Sequence, residues 1–145
     1  MSDEYVFDTE AIIAYLYKEP GHEVVADLLD KVFSGGTDGV LTKTNASEVF
    51  YLVARFEGID DTPTDASLRD ADRDIRALER QGLELEPADW RLAAEVKADG
   101  NISLADAYAV ACAYERDATL VVGADDDFDS LPVDIDLRRF SEDRV

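Results

Sequence analysis

Short apolar runs alternate with segments of helical spacing along this chain, and no hairpin turn joins any two of the runs. "EYVF" (4–7) reads as a strand, and "TEAIIAYLY" after it carries helical apolar spacing up to Glu19-Pro20-Gly21. A second helix is predicted over 22–33, with Val24, Val25, Leu28, Leu29 and Val32 on one side. Beyond the "SGGTDG" loop come a strand at 40–42 and a helix at 45–58 that ends at a glycine. A polar helix over 64–81 stops at Gly82, residues 83–86 form a short strand, and Pro87 opens a helix through Ala98. Residues 103–117 are helical, "TLVV" (119–122) is a buried strand, and "VDIDL" (133–137) is a last one. Strands that alternate with helices in this way specify an α/β fold, a mostly parallel central sheet flanked by helices. No repeat or linker divides the chain, and 145 residues suit one domain over 1–145.

Charge sets the second constraint. The chain carries 34 acids against 14 bases, a formal net charge of −20, with the acids spread from end to end. Such a surface fits a halophilic cytosol, and in dilute buffer its self-repulsion opposes the compact state. A polyanion of this kind repels nucleic acid, but in about 1 M salt the screening length falls to roughly 3 Å, so charge does not exclude RNA. No run is long enough to span a membrane, and "MSDEYVF" is acidic where a signal peptide is basic. The expectation is a cytoplasmic protein with no membrane contact. Cys112 is alone in "AVACAYE" and is read as a small core residue, which leaves no intrachain disulfide and no cysteine zinc site.

In open α/β sheets, ligands bind beyond the C-terminal ends of the strands. Asp8 directly follows the first strand, and Glu48 falls in the first turn of the helix after the second. Asp106 opens the helix that precedes "TLVV", and Asp125 to Asp127 follow that strand. Four distant segments thus have the spacing to bring carboxylates to one sheet end. Each acid also has a plain reading as a helix cap: Asp8 before its helix, Asn45-x-x-Glu48 and Ser103-x-x-Asp106 as capping boxes, Asp125 or Asp126 at a short turn before Phe128. Glu48 precedes "VFYLVARF", so it is expected to be partly buried and in need of a partner. The two readings are compatible, because helix N-termini favour both anionic side chains and phosphates.

Other chemistries find little support. His22, the sole histidine, sits beside a Pro-Gly turn, which removes paired-histidine ribonuclease chemistry and leaves a Ser-His-Asp triad without an elbow motif. No GxxxxGK[ST] loop is present. A phosphoacceptor receiver needs a late lysine, but the last is Lys97, and a dehalogenase-type phosphatase needs Asp-x-Asp where "DTE" stands. A non-catalytic acidic interaction module remains as the rival class. Arg69, Arg73, Arg76 and Arg80 form one helical stripe that could contact phosphates, yet Asp65 and Asp72 each stand four residues before an arginine, which favours ordinary ion pairs. The aromatic residues fall on apolar faces and are read as core.

"YVFDTEAIIAYL", "NASEVFYLVAR" and "SLADAYAVACAYERDATLVVGADDDFDSL" together resemble the motifs of the PIN-domain ribonucleases, most closely the toxin component of VapBC-type toxin–antitoxin systems. The resemblance spans nearly the whole chain. It implies a PIN-like domain whose catalytic acids are Asp8, Glu48, Asp106 and Asp125, with Asp127 as a further metal ligand. It implies one or two Mg²⁺ or Mn²⁺ ions and hydrolytic cleavage of RNA. Thr9 beside Asp8, and Arg69 and Arg73 of the helical stripe, are the candidate substrate contacts. A cognate antitoxin and a homodimer are the implied partners, although relatives also serve in RNA processing. Two departures stand out. Glu10 occupies a position where the family commonly has Ser or Thr, and Gly123-Ala124 replaces its usual Thr-Gly, which removes a hydroxyl.

Overall fold

The computed structural model describes residues 4–141 of the expected 1–145 domain. Its elements are β1 (Glu4–Phe7), α1 (Thr9–Tyr17), α2 (His22–Phe33), β2 (Asp38–Thr42), α3 (Lys43–Phe56), α4 (Asp65–Gln81), β3 (Glu84–Glu86), α5 (Trp90–Asp99), α6 (Leu104–Arg116), β4 (Thr119–Val122) and β5 (Asp136–Arg139). A 3-10 turn, Asp126–Phe128, lies between the last two strands. The strands form one sheet of order β3-β2-β1-β4-β5, and every pairing in it is parallel.

Period-two alternation divides the strand side chains between two layers. Phe7, Leu41 and Val121 face α1, α2, α3 and α4, where they join Ile12, Leu29, Val53 and Ile75 in one core. Their neighbours Val6, Val40, Leu120 and Val122 face the opposite way and pack with Val96 of α5 and Val110 and Cys112 of α6. Strands covered on both faces read as continuous apolar runs, which is why "TLVV" shows no alternation of its own. Cys112 is fully buried, and burial pushes its thiol up to about 12, so it packs as an inert hydrophobe.

The chain builds β2 and β3 on one side of β1, then returns to place β4 and β5 on the other. The strand order therefore reverses between β1 and β4, and a crevice opens beyond their carboxyl ends. Asp8 follows β1 there, and Gly123 follows β4.

Several details differ from the sequence-based expectation. Helix α5 opens at Trp90 and not at Pro87, because the Asp89 side chain caps it by accepting the Arg91 and Leu92 N–H groups. The α3 helix starts at Lys43, two residues early, because Thr42 and not Asn45 caps it: the Thr42 side chain accepts the Asn45 N–H at 3.0 Å. The last strand is 136–139 and not 133–137, with Leu137 opposite Leu120 and Arg139 opposite Val122. Val133 and Ile135 instead pack on the α5–α6 core from irregular chain, so their spacing reflects burial without a ladder. Several aromatic residues lie outside the core, among them Tyr51 at 55% and Trp90 at 70% exposure. Tyr17 and Phe56 meet edge to face with ring centres 5.3 Å apart, and Arg55 lies over Tyr51, so these rings pack on the surface.

The shift of the cap turns Asn45 into a fully buried side chain. Its Nδ2 donates to Thr9 Oγ1 at 3.0 Å and to the Ala105 carbonyl at 3.2 Å, while the Thr42 hydroxyl donates to its Oδ1. One amide thus joins the starts of α1, α3 and α6. Leucine at this position keeps the branched shape at a somewhat larger volume and removes every side-chain bond. Each buried polar group left unpaired costs about 1–3 kcal/mol. Asn45→Leu is therefore expected to lower the unfolding free energy by about 2 kcal/mol or more in urea titrations run in concentrated KCl. A loss below about 0.5 kcal/mol, the range of ordinary surface changes, would show that the junction carries little.

Candidate metal centre

Asp8 is the deepest of the acids, 1% exposed at the end of β1. Its backbone N–H donates to the Val121 carbonyl at 3.2 Å, which ties it to β4. Its Oδ1 caps α1 by accepting the Ala11 N–H at 2.7 Å. Burial holds this carboxyl well above the ordinary range. The Ala11 hydrogen bond opposes the shift, and the charges of Asp106, Glu10 and Glu48 add to it. Capping and site membership therefore coincide in one residue, since the cap engages only one of two carboxylate oxygens.

Asp106 arrives from the first turn of α6. Ser103 caps that helix as expected, accepting the Asp106 N–H at 3.2 Å. The Asp106 carboxyl is pushed up to about 6, first by burial and then by Glu48, Asp125 and Asp127, against a lowering hydrogen bond with Ser103. Asp125 caps the 3-10 turn and accepts the Asp127 N–H at 2.9 Å. Asp106, Asp125 and Asp127 each offer an oxygen, and the three atoms lie within 4.8 Å of one another.

Glu48 of α3 is partly buried, as its position before an apolar face predicts. It lines an open cleft of about 250 Å³ together with Thr9, Glu10 and Asp106. Asp8 lies beneath this cleft, close enough to Asp106 and Glu48 for their charges to raise its pKa. Two levels result: a tight trio from α6 and the β4 loop, and Asp8 and Glu48 in electrostatic contact with it. Thr9 is buried with its hydroxyl oxygen occupied by Asn45. Arg69 and Arg73 sit exposed on α4, away from the residues lining the cleft. Arg73 pairs with Asp70 at 3.3 Å, and Arg76 pairs with Asp72 and Glu79. The stripe is thus partly an ion-pair ladder, as expected, although Asp65 and Arg69 do not pair.

Three contributors lie outside the motif reading. Asn45, which the spacing predicts as a cap, is a buried bridge between helix starts. Glu10, noted only as a departure, enters the cleft, and its carboxyl is raised by partial burial, Asp125 and Glu19 against a lowering effect of Arg139. Arg139 reaches the loop after β4 from β5, and nothing in its local sequence signals this.

The donor set fits a hard divalent cation. Carboxylate oxygens on three converging side chains suit Mg²⁺ or Mn²⁺, while no histidine or cysteine lines the cleft to favour a softer metal. Like charges this close repel one another, and a cation among them would relieve that repulsion.

The fold is shared with solved structures at low identity. VapBC2 from Rickettsia felis bound to a DNA fragment from their promoter superposes with a TM-score of 0.68 at 14% identity, over 94% of this chain and 98% of that one. FitAcB from Neisseria gonorrhoeae gives 0.66 at 17% identity, over 94% and 97%. FitAB bound to the IR36 DNA fragment gives 0.60 at 20% identity, over 94% of each chain. None of the curated proteins matches the chain in sequence. A sequence model of the PIN domain matches residues 5–133, from β1 through the acidic loop to the approach of β5, and the chain belongs to the PIN domain family.

Proposed function

We propose that this protein is a metal-dependent endoribonuclease that hydrolyses RNA phosphodiester bonds, and that it serves as a toxin neutralised by a cognate antitoxin. The observation that carries the reading is the convergence of Asp106, Asp125 and Asp127 within 4.8 Å beside a buried Asp8, at the switch point of a parallel sheet. PIN domains are generally nucleases, and this chain retains the acids that such chemistry needs. The toxin role draws on the motif resemblance to VapBC-type toxins and on the fold shared with the VapBC2 and FitAB structures.

In this reading Asp106, Asp125 and Asp127 hold the cation, and Asp8 and Glu48 complete the anionic wall. Bound Mg²⁺ or Mn²⁺ would supply Lewis acidity toward a phosphate oxygen and activation of water. Asp8 is held by the Ala11 N–H and the β1–β4 pairing, so its free oxygen keeps a fixed direction. Asn45 holds the Thr9 hydroxyl at the cleft floor, where a substrate phosphate would pass in this reading. The −20 charge belongs to the same proposal, as an adaptation to concentrated salt in the cytoplasm, where screening lets a polyanion approach. A homodimer is included too, and exposed Tyr51, Phe56 and Ile59 around the end of α3 offer apolar area for one.

Purified protein in molar KCl is expected to cut a mixed single-stranded RNA with Mn²⁺ or Mg²⁺, to stop with chelator, and to lose at least 100-fold in rate as Asp8→Asn, on the order of a lost catalytic group. Cutting that survives in a folded Asp8→Asn protein would remove Asp8 from the centre.

Proton linkage gives a second prediction. Asp106 titrates near 6 when folded and at the ordinary carboxylate value when unfolded, and Asp8 is shifted in the same direction. The native state therefore holds more protons between those values, and metal-free protein loses stability as pH rises through about 6. A divalent cation needs both groups ionised, so its stabilising effect grows over the same range. The rise in Tm caused by Mn²⁺ should be larger at pH 8 than at pH 5; an equal or reversed effect would place the cation elsewhere.

A further inference from the structure

Arg139 lies in β5, outside every acidic motif, yet its guanidinium crosses to the loop that leaves β4. Its Nη1 donates to the Gly123 carbonyl at 2.6 Å and to the Asp125 carbonyl at 3.0 Å, and its Nη2 pairs with the Asp129 carboxylate at 2.6 Å. The side chain is 25% exposed. Three acceptors from three residues of one loop are met by a single planar fork, a geometry open to arginine and closed to lysine.

Glu10 packs against the start of the same loop. A Cβ on Gly123 would stand 2.6 Å from Glu10 Oε1, so the missing side chain is what lets that carboxylate lie against the backbone. The two departures from the family pattern, Glu10 and Gly123, thus meet each other, and Arg139 grips the Gly123 carbonyl. Phe128 anchors the far end of the loop in the α5–α6 core, and Ala124 is buried, but the carboxylates between them are not packed. Asp125, Asp126 and Asp129 are exposed, and successive carboxylates repel. Its internal bonds are the short turn Asp127 N–H to Asp125 and Asp129 N–H to the Asp126 carbonyl.

We propose that Arg139 is a positioning residue: its guanidinium fork fixes the 123–129 loop and thereby keeps Asp125 and Asp127 at cation-binding distance from Asp106. The second half rests on the metal-site reading above, while the first stands without it. Both Nη groups are already committed to the protein's own acceptors, so Arg139 acts through the loop and not as a phosphate contact.

The test uses the full chain in concentrated KCl with Arg139→Lys, Arg139→Gln and Asp129→Ala. Hydrogen exchange of the 124–129 amides is measured without metal, and Mn²⁺ binding is followed by the paramagnetic resonance of the free ion. Both Arg139 variants should exchange the Asp127 amide at least about tenfold faster and bind Mn²⁺ about 10–100-fold more weakly, the usual range for partners that orient ligands. Asp129→Ala removes one of the three acceptors and should fall between them and the parent. It also remains interpretable if an Arg139 variant fails to fold, since parental exchange and affinity in Asp129→Ala would then count against the clamp. Full rescue by lysine would mean that charge and not the fork matters, and the proposal would be wrong. Faster exchange with unchanged Mn²⁺ affinity would overturn the link to the site. If the parent protein binds no Mn²⁺, the metal reading itself fails, and the exchange data alone decide whether Arg139 holds the loop.

Discussion

The site depends on a buried amide. Asn45 sits where α1, α3 and α6 begin, and its two Nδ2 bonds reach the Thr9 hydroxyl and the Ala105 carbonyl. Thr9 is next to Asp8, Ala105 is next to Asp106, and Glu48 lies one turn along α3 from Asn45 itself. Three of the acids are therefore referenced to one side chain, whose position is set by Thr42 through a bond in each direction. A carboxylate here would add charge to a crowded site, and an aliphatic residue would strand its partners. Asparagine supplies donors and an acceptor without charge, the combination that three helix starts at one point require.

That junction holds together groups that repel. Burial raises Asp8 and Asp106, and their neighbours raise them further, so the metal-free fold keeps its acids close at a cost in stability. Helix caps offset part of it. Asp8 takes an N–H from α1, Ser103 bonds Asp106 at the start of α6, and Asp125 takes an N–H from the 3-10 turn. Helix N-termini also present positive dipole ends toward the cleft. Caps consume only some of the carboxylate oxygens, so the same acids remain available to a cation.

Much of this was legible because periodicity and breakers report directly on local structure. Strands β1 and β4 and helices α1 and α2 lie where the runs and the Pro-Gly turn place them. The positions of the acids after the strands were legible for the same reason. Their convergence was not, because it depends on the strand order, which puts β1 beside β4 although more than a hundred residues separate them. Asn45 was misread because an Asn-x-x-Glu pattern looks like a capping box, and Thr42 won the cap by adopting the extended backbone three residues earlier. Arg139 was invisible because its partners stand 10 to 16 residues away, joined to it only by the β4–β5 pairing. The exposed aromatic rings went astray for another reason: spacing identifies a helix face, and a ring at a helix end can pack on its neighbours at the surface.

The charge distribution limits how any polyanion is held. On α4, Arg73 and Arg76 are matched by Asp70, Asp72 and Glu79, so the arginine stripe presents little net positive field. Near the cleft, Arg139 spends its guanidinium on the chain's own loop. Long-range steering of RNA toward this surface is thus repulsive at low salt and absent at high salt. Under the proposed function, affinity for a phosphate would have to arise at contact, from a cation held among Asp106, Asp125 and Asp127 and from the helix N-termini around it. On such a surface the proposed cation would be both the chemical group and the main point of attachment. Loss of the ion should abolish substrate binding along with cleavage, whereas a site surrounded by basic residues would keep its substrate when the metal is gone.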